Sequence, residues 1–165
     1  MTAQHSNPVL YMAMELSNRT WKLRFGNGTT VHDKTVKAGD QKGLMEAVKR
    51  ARGRLKIPSE APVRSCYEAG RDGFWLHRFL QKHGIENLVV DPASIEVNRR
   101  QRRAKTDRLD AAKLLLMLLR YHLYGEKTVW KICRVPELES EDDRRLGREL
   151  NRLTRERTGH LNRIR

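Results

Sequence analysis

Four acidic residues occupy positions from which their carboxylates could share one site. Asp107 and Asp110 lie three residues apart in RAKTDRLDAA, where an arginine-rich stretch leads into an apolar helix, and residues three apart are neighbours on one helical face. Glu15 is the next-to-last residue of the otherwise apolar stretch VLYMAMEL, and Glu68 ends VRSCYE. Carboxylates gathered without a cation would repel one another, but they are the hard oxygen ligands that Mg²⁺ or Mn²⁺ binds. Two such ions about 4 Å apart would support phosphoryl transfer.

The elements that must position these acids follow from hydrophobic pattern and turn signals. Three β-rich stretches, 9–16, 20–25 and 29–36, with the hairpin sequence GNGT before the last, predict an antiparallel meander. Helices and strands then alternate, which predicts parallel strands with crossover helices. The predicted segments are a helix from Asp40 to about Leu55, strand 63–68, a helix from about Asp72 to His83, strand 85–91 and a helix from Asp107 to about Tyr124.

The predicted fold class is therefore α/β, with a mixed five-stranded sheet flanked by helices. If strands 9–16 and 63–68 are adjacent and parallel, Glu15 and Glu68 reach the same edge of that sheet. The helix that begins at Asp107 can pack its first turn against this edge. All four carboxylates would then converge.

Each acid also has a plainer interpretation. An aspartate directly after the capping residue Thr106 suits the positive end of a helix dipole. Glu15 could be a solvated strand end, and Glu68 could pair with Arg71. Spacing alone leaves both interpretations open.

The charge of the chain points to a polyanionic partner. Its 165 residues carry a net charge of +14 with a sequence pI near 10.4, which favours nucleic acid. Basic residues are concentrated just before the aspartates, where they could draw a phosphodiester backbone toward bound metal. The alternative is a solvated loop. The residues predicted to bind nucleic acid are Arg99, Arg100, Arg102, Arg103, Lys105 and Arg108.

Other site chemistries find little support. Cys66 and Cys133 stand far apart with no Cys/His cluster, which argues against zinc and favours reduced thiols. The polar start MTAQHSNP carries no signal-peptide pattern, and the apolar run at 114–119 is too short to span a bilayer. These features predict a cytoplasmic, nucleoid-associated protein without a membrane partner.

The aromatic and histidine side chains are predicted to be structural. Trp21, Phe25, Phe74, Trp75 and Phe79 are expected to pack in the core, with base stacking as the alternative. His77 and His83 are expected to be solvated on a helix surface.

The last segment predicts a helical arm. Leu146, Leu150, Leu153, Leu161 and Ile164 keep a coiled-coil-like spacing within 138–164. The predicted organisation is a catalytic-type domain over 9–125, followed by a linker and the start of the arm over 126–165. The stripe predicts a homo-oligomer, most simply a dimer, paired through residues 138–164.

Three segments resemble one known family. SCYEAGRDGFWLHRFL is similar to its Glu-Ala-Thr-Gly segment, RRAKTDRLDAAKLL to its Lys-Thr-Asp-x-x-Asp-Ala motif, and residues 134–165 to its arginine-rich helical segment. The family is the DEDD transposases of insertion sequences, the bridge-RNA-guided recombinases. The resemblance runs from about residue 9 to the end. Gly70 stands where threonine is usual, and Glu15 where the family has aspartate, one methylene shorter.

The resemblance implies an RNase H-like (Holliday-junction-resolvase-like) domain that binds Mg²⁺ through Glu15, Glu68, Asp107 and Asp110. It also implies DNA as substrate and a guide RNA as partner. The family has a further domain with a nucleophilic serine, which this sequence lacks. We therefore expect a fragment that does not run the full reaction alone.

The sequence leaves two function classes open. One is the metal-dependent nuclease-like domain of a DNA transposase or recombinase. The other is a non-catalytic nucleic-acid-binding module on the same scaffold, which dimerises through its C-terminal helix. Divalent-metal binding at the four acids separates them.

Overall fold

The computed structural model describes residues 8–70, 74–95 and 107–164, without the side chains of 107–110, 141–146, 148 and 164. It divides into two compact units, Met1–Cys133 and Arg134–Arg165. A 3-10 turn at Pro92–Ser94 follows the last strand. The other elements are β1 (Leu10–Leu16), β2 (Thr20–Gly26), β3 (Val31–Lys37), α1 (Gln41–Arg54), β4 (Val63–Glu68), α2 (Trp75–Lys82), β5 (Ile85–Val90), α3 (Asp107–Leu123) and α4 (Leu138–Ile164).

The first unit is built on one five-stranded sheet in the order β3-β2-β1-β4-β5. β1 pairs antiparallel with β2, and β2 antiparallel with β3. On its other side β1 pairs parallel with β4, which in turn pairs parallel with β5. The predicted mixed sheet with its meander and parallel strands is confirmed, and the arrangement is consistent with an RNase H-like fold.

Short polar signals fix the local connections. In the β2–β3 hairpin the Asn27 side-chain oxygen accepts the backbone N–H groups of Thr29 and Thr30, at 3.0 and 2.8 Å. Gly28 supplies the positive φ of +97° that this turn requires. Asp40 caps α1 at the predicted start of this helix, because its carboxylate accepts the N–H of Gly43 at 2.8 Å.

Helices cover both faces of the sheet. α3 packs against β1, β2 and β4, while α1 packs against β3 and α2 against β5. Trp21 and Phe25 are buried, as predicted, whereas Trp75 at the start of α2 is 37% exposed. The core between α3 and the sheet consists of Tyr11, Ala13, Cys66, Val90, Ile95, Leu114, Leu115, Met117, Leu118, Val129 and Trp130.

The apolar run in α3 is not buried all round. Leu114, Leu115, Met117 and Leu118 are each at most 2% exposed, but Leu116 is 58% exposed. Only one side of a helix can face a sheet, so a continuous apolar run places at least one side chain outward. The continuous apolar run at 114–119 is therefore buried on one side only, and Leu116 lies on the exposed side.

The segment after α3 packs with the first unit. Val129 and Trp130 are buried in the core beneath α3. The N–H of Asp91 donates to the carbonyl of Lys131 at 2.9 Å, and the N–H of Cys133 donates to that of Val89 at 2.8 Å. These bonds satisfy part of the outer edge of β5.

The second unit is dominated by α4, whose bounds match the predicted helix 138–164. Arg152 forms ion pairs with Glu149 and Glu156 along the helix surface. Leu150, Leu153 and Leu161 are 66%, 50% and 55% exposed. In the part of the chain that the structure describes, no helix combines the length and apolarity needed to cross a membrane.

Candidate functional site

Glu15 and Glu68 occupy matching positions on the two central parallel strands. The last pair in the register of β1 with β4 is Met14 with Tyr67, and one step further along both strands reaches Glu15 and Glu68. Neighbouring strands lie about 4.8 Å apart, so the two backbones are close at this edge. Glu15 is half-buried with Oε2 shielded from solvent, and Glu68 is exposed.

Side-chain alternation places both acids on the sheet face that α3 covers. Glu15 shares its face with Ala13, and Glu68 shares its face with Cys66. Ala13 and Cys66 belong to the core packed beneath α3. The two predicted acids on the strands therefore share one edge and one face.

Two contacts fix the direction of α3 over this face. The thiol Sγ of Cys66 lies 3.8 Å from the carbonyl oxygen of Leu114. Further along the helix, the ring of His122 lies 6.0 Å from that of Tyr11, near the start of β1. α3 therefore runs antiparallel to β1 and β4, and its first residues lie toward the edge where those strands end.

The spacing along helix and strand brings the start of α3 level with this edge. Asp110 precedes Leu114 by four residues, a rise of about 6 Å along the helix. Glu68 follows Cys66 by two residues, a rise of about 6.6 Å along the strand. The helix backbone places Asp107 and Asp110 in the first turn of α3, but the structure does not describe their side chains.

For the remaining predicted site residues, the binding of nucleic acid stays a prediction. Arg99, Arg100, Arg102, Arg103 and Lys105 lie outside the described residues, and Arg108 is described by its helix backbone alone. Among described side chains, no three of histidine, cysteine, aspartate and glutamate gather as a metal site. That set includes Glu15 and Glu68 but not the two aspartates.

The surroundings of both cysteines disfavour the thiolate form. Burial, together with the negative charge of Glu68, raises the pKa of the Cys66 thiol. Burial, with the charge of Asp91, also raises the pKa of Cys133. A thiol with a raised pKa stays protonated at neutral pH, and the thiolate is the reactive form.

A second polar cluster lies at the opposite edge of the sheet. Arg64 on β4 donates from Nε to Glu86 on β5 at 2.8 Å, near Tyr11 and His122. Burial, and then the positive charge of Arg64, lower the pKa of His122 to about 4. The imidazole is therefore neutral at pH 7. The sequence offered no signal for this cluster, because its members come from separate elements.

His77 contradicts its predicted solvated position. It is 9% exposed, and its Nδ1 lies 3.0 Å from the Nδ2 atom of Asn87. The Asn87 side-chain oxygen accepts the hydroxyl of Ser65 at 2.7 Å. Burial lowers the pKa of His77, with a smaller contribution from Arg78. The signal in the sequence was that polar Ser65 and Asn87 each lie between two apolar residues of one alternating row, Val63 and Tyr67 on β4 and Ile85 and Val89 on β5. His83 is exposed, as predicted.

Comparison with known proteins adds one line of evidence. No protein-family model matches the chain. A protein of Sinorhizobium fredii (strain NBRC 101917 / NGR234) named "Putative transposase y4rJ" is 43% identical to it over 160 residues. The alignment covers 94% of this chain and 40% of that protein. The chain is therefore homologous, over nearly its whole length, to less than half of a protein named as a transposase.

Proposed function

We propose that this chain is the metal-dependent catalytic region of a DNA transposase. The homologue named as a transposase supports a function in transposition. The observation that carries the catalytic part is the register of β1 with β4, which aligns Glu15 with Glu68 at the edge toward which α3 begins. An RNase H-like sheet in this order supports the same assignment.

The donor set fits a hard divalent cation. Two carboxylates side by side repel each other, and repulsion of this kind is relieved when a cation binds between them. Asp107 and Asp110, one helical turn apart at the start of α3, would complete an all-oxygen set suited to Mg²⁺ or Mn²⁺. When bound, such ions activate a nucleophile and stabilise the leaving oxygen of a phosphodiester.

The chain's own residues would orient the nucleic acid. The strand ends hold Glu15 and Glu68 on a rigid sheet, which limits how far their carboxylates can move. The basic run ending at Arg108 would neutralise backbone phosphates next to the aspartates. DNA is the proposed substrate, and the sequence resemblance adds a guide RNA as a proposed partner.

A Mn²⁺ titration of the whole chain tests the proposal. We expect Mn²⁺ to raise the melting temperature, since a ligand that binds only the folded state stabilises it. Glu68→Gln and Asp107→Asn should each remove most of that rise. Glu46→Gln on the exposed surface of α1 is the control and should keep it. A rise that survives both site substitutions, or its absence from the native chain, would contradict the proposal.

A further inference from the structure

Residues of β2 and β3 lie in line with Glu15 across the three antiparallel strands β1, β2 and β3. In the cross-strand register Glu15 pairs with Lys22 on β2, and Lys22 pairs with Thr35 on β3. One row nearer the strand-end edge, Thr20 pairs with Lys37. Alternation puts all four of these meander side chains on the face that carries Glu15. We call Thr20, Lys22, Thr35 and Lys37 the β2–β3 strip.

The helices leave the outer part of this strip open. α3 packs over β1, β2 and β4, whereas α1 packs against β3. The one buried side chain of β3, Val36, points to the other face of the sheet, and Thr35 and Lys37 are exposed. Within the described part of the chain, the Lys37 ammonium makes no ion pair.

The charge of Lys37 differs in its surroundings from that of Arg24 in the adjoining row. There Arg24 donates to both carboxylate oxygens of Asp33, at 3.1 and 2.9 Å, so its charge is balanced across the strands. In the strip, Lys22 lies opposite the acid Glu15, whereas Lys37 lies opposite the neutral Thr20. The charge that no ion pair among the described residues balances is therefore that of Lys37, on the exposed strand β3.

We propose that the β2–β3 strip binds backbone phosphates of a DNA strand and leads that strand to the carboxylates. Ammonium and hydroxyl groups are common donors to phosphate oxygens. Two strand spacings separate β1 from β3, about 10 Å. This distance corresponds to roughly three base-pair steps along the axis of a duplex, at 3.4 Å per phosphate of one strand. The inference rests on the proposed function, because it takes the Glu15 edge to be the reacting edge.

The test compares two lysines of one strand. Lys37→Ala removes a charge from the strip, and Lys34→Ala removes the same charge from the opposite face of β3. Binding of the whole chain to a labelled DNA duplex is measured against salt concentration in EDTA. Each lost phosphate contact should make the slope of log affinity against log salt shallower by about 0.9. We expect that change for Lys37→Ala and none for Lys34→Ala.

A second variant and a second ligand complete the design. Thr35→Val should weaken DNA binding at fixed salt without changing the slope, since it removes a neutral donor. If the two lysine variants have equal slopes, the strip does not bind DNA phosphates. The same conclusion follows if the slope changes with an RNA duplex but not with a DNA duplex. The Mn²⁺ titration of Lys37→Ala is independent. If Mn²⁺ binding is normal and the two lysine variants have equal salt slopes, only the phosphate-binding role of the strip is wrong. If the native chain does not bind Mn²⁺, the proposed catalytic function is wrong.

Discussion

The imidazole of His122 lies 6.0 Å from the ring of Tyr11 and so ties the last turns of α3 to the start of β1. The Nε2 atom of His122 is buried and has no hydrogen-bond partner among the described residues. Burial, reinforced by Arg64, lowers the pKa of His122 to about 4. The folded chain therefore favours the neutral imidazole, whereas the unfolded chain takes up a proton near pH 6.5.

We predict that the free energy of unfolding falls as pH drops from 6.5 toward 4. In this window the unfolded state binds more protons than the folded state, so acidification favours unfolding. One such group contributes a slope of at most about 1.4 kcal/mol per pH unit. Urea denaturation at pH 7, 6 and 5 measures it. His122→Leu should flatten the slope, and a residual slope is expected because burial also lowers the pKa of His77. Identical slopes in native chain and variant would contradict the assignment.

We predict that two neighbouring leucines of α3 differ sharply in their contribution to stability. Leu118 is fully buried, while Leu116 is 58% exposed on the same helix. Leu118→Ala should lower the free energy of unfolding by about 2–5 kcal/mol, because it leaves a cavity against the sheet. Leu116→Ala should change it by less than about 0.5 kcal/mol. Similar losses from both would mean that α3 faces the sheet differently.

The fold could be predicted from local sequence because its signals are local. Alternation, the Asn27–Gly28 turn and the Asp40 cap each act within a few residues, and the observed strands and helices begin and end close to the predicted bounds. Chain order then implied the parallel neighbours that align Glu15 with Glu68.

Properties that depend on neighbours from distant elements could not be predicted in the same way. The outward direction of Leu116 depends on which side of α3 meets the sheet, and the burial of His77 depends on Asn87 from another strand. The β2–β3 strip needs the register of three strands at once. The sequence predicted that Glu15 and Glu68 lie at one edge of the sheet, and the register of β1 with β4 agrees. That the side chains of Asp107 and Asp110 join them in one cluster stays a prediction.

We predict that position 15 needs a carboxylate and tolerates a shorter one. Glu15→Gln should remove most of the rise in melting temperature with Mn²⁺, because a neutral amide neither attracts nor balances the cation. Glu15→Asp keeps the negative charge on a side chain that is shorter by one methylene, about 1.5 Å. Mn²⁺ should therefore still bind, but with lower affinity, so that a higher Mn²⁺ concentration is needed for the same rise in melting temperature. Melting curves across a Mn²⁺ series measure both. If Glu15→Gln keeps the full rise in melting temperature, Glu15 is not a metal ligand.

The last prediction concerns the exposed leucines of α4. Leu150, Leu153 and Leu161 are at least half exposed, and their spacing is close to that of a coiled-coil seam. Apolar surface in water costs about 25 cal/mol per Å², and a helix cannot bury its own stripe. We therefore expect the chain to self-associate through residues 138–164, most simply as a symmetric dimer.

Sedimentation equilibrium at micromolar concentration should show the native chain as a dimer and Leu150→Glu as a monomer, because a charge in the seam would have to be desolvated. Asn151→Glu adds the same charge one residue along, outside the stripe, and should leave the dimer intact. A native chain that sediments as a monomer, or two variants that dissociate equally, would show that these leucines do not form a dimer seam.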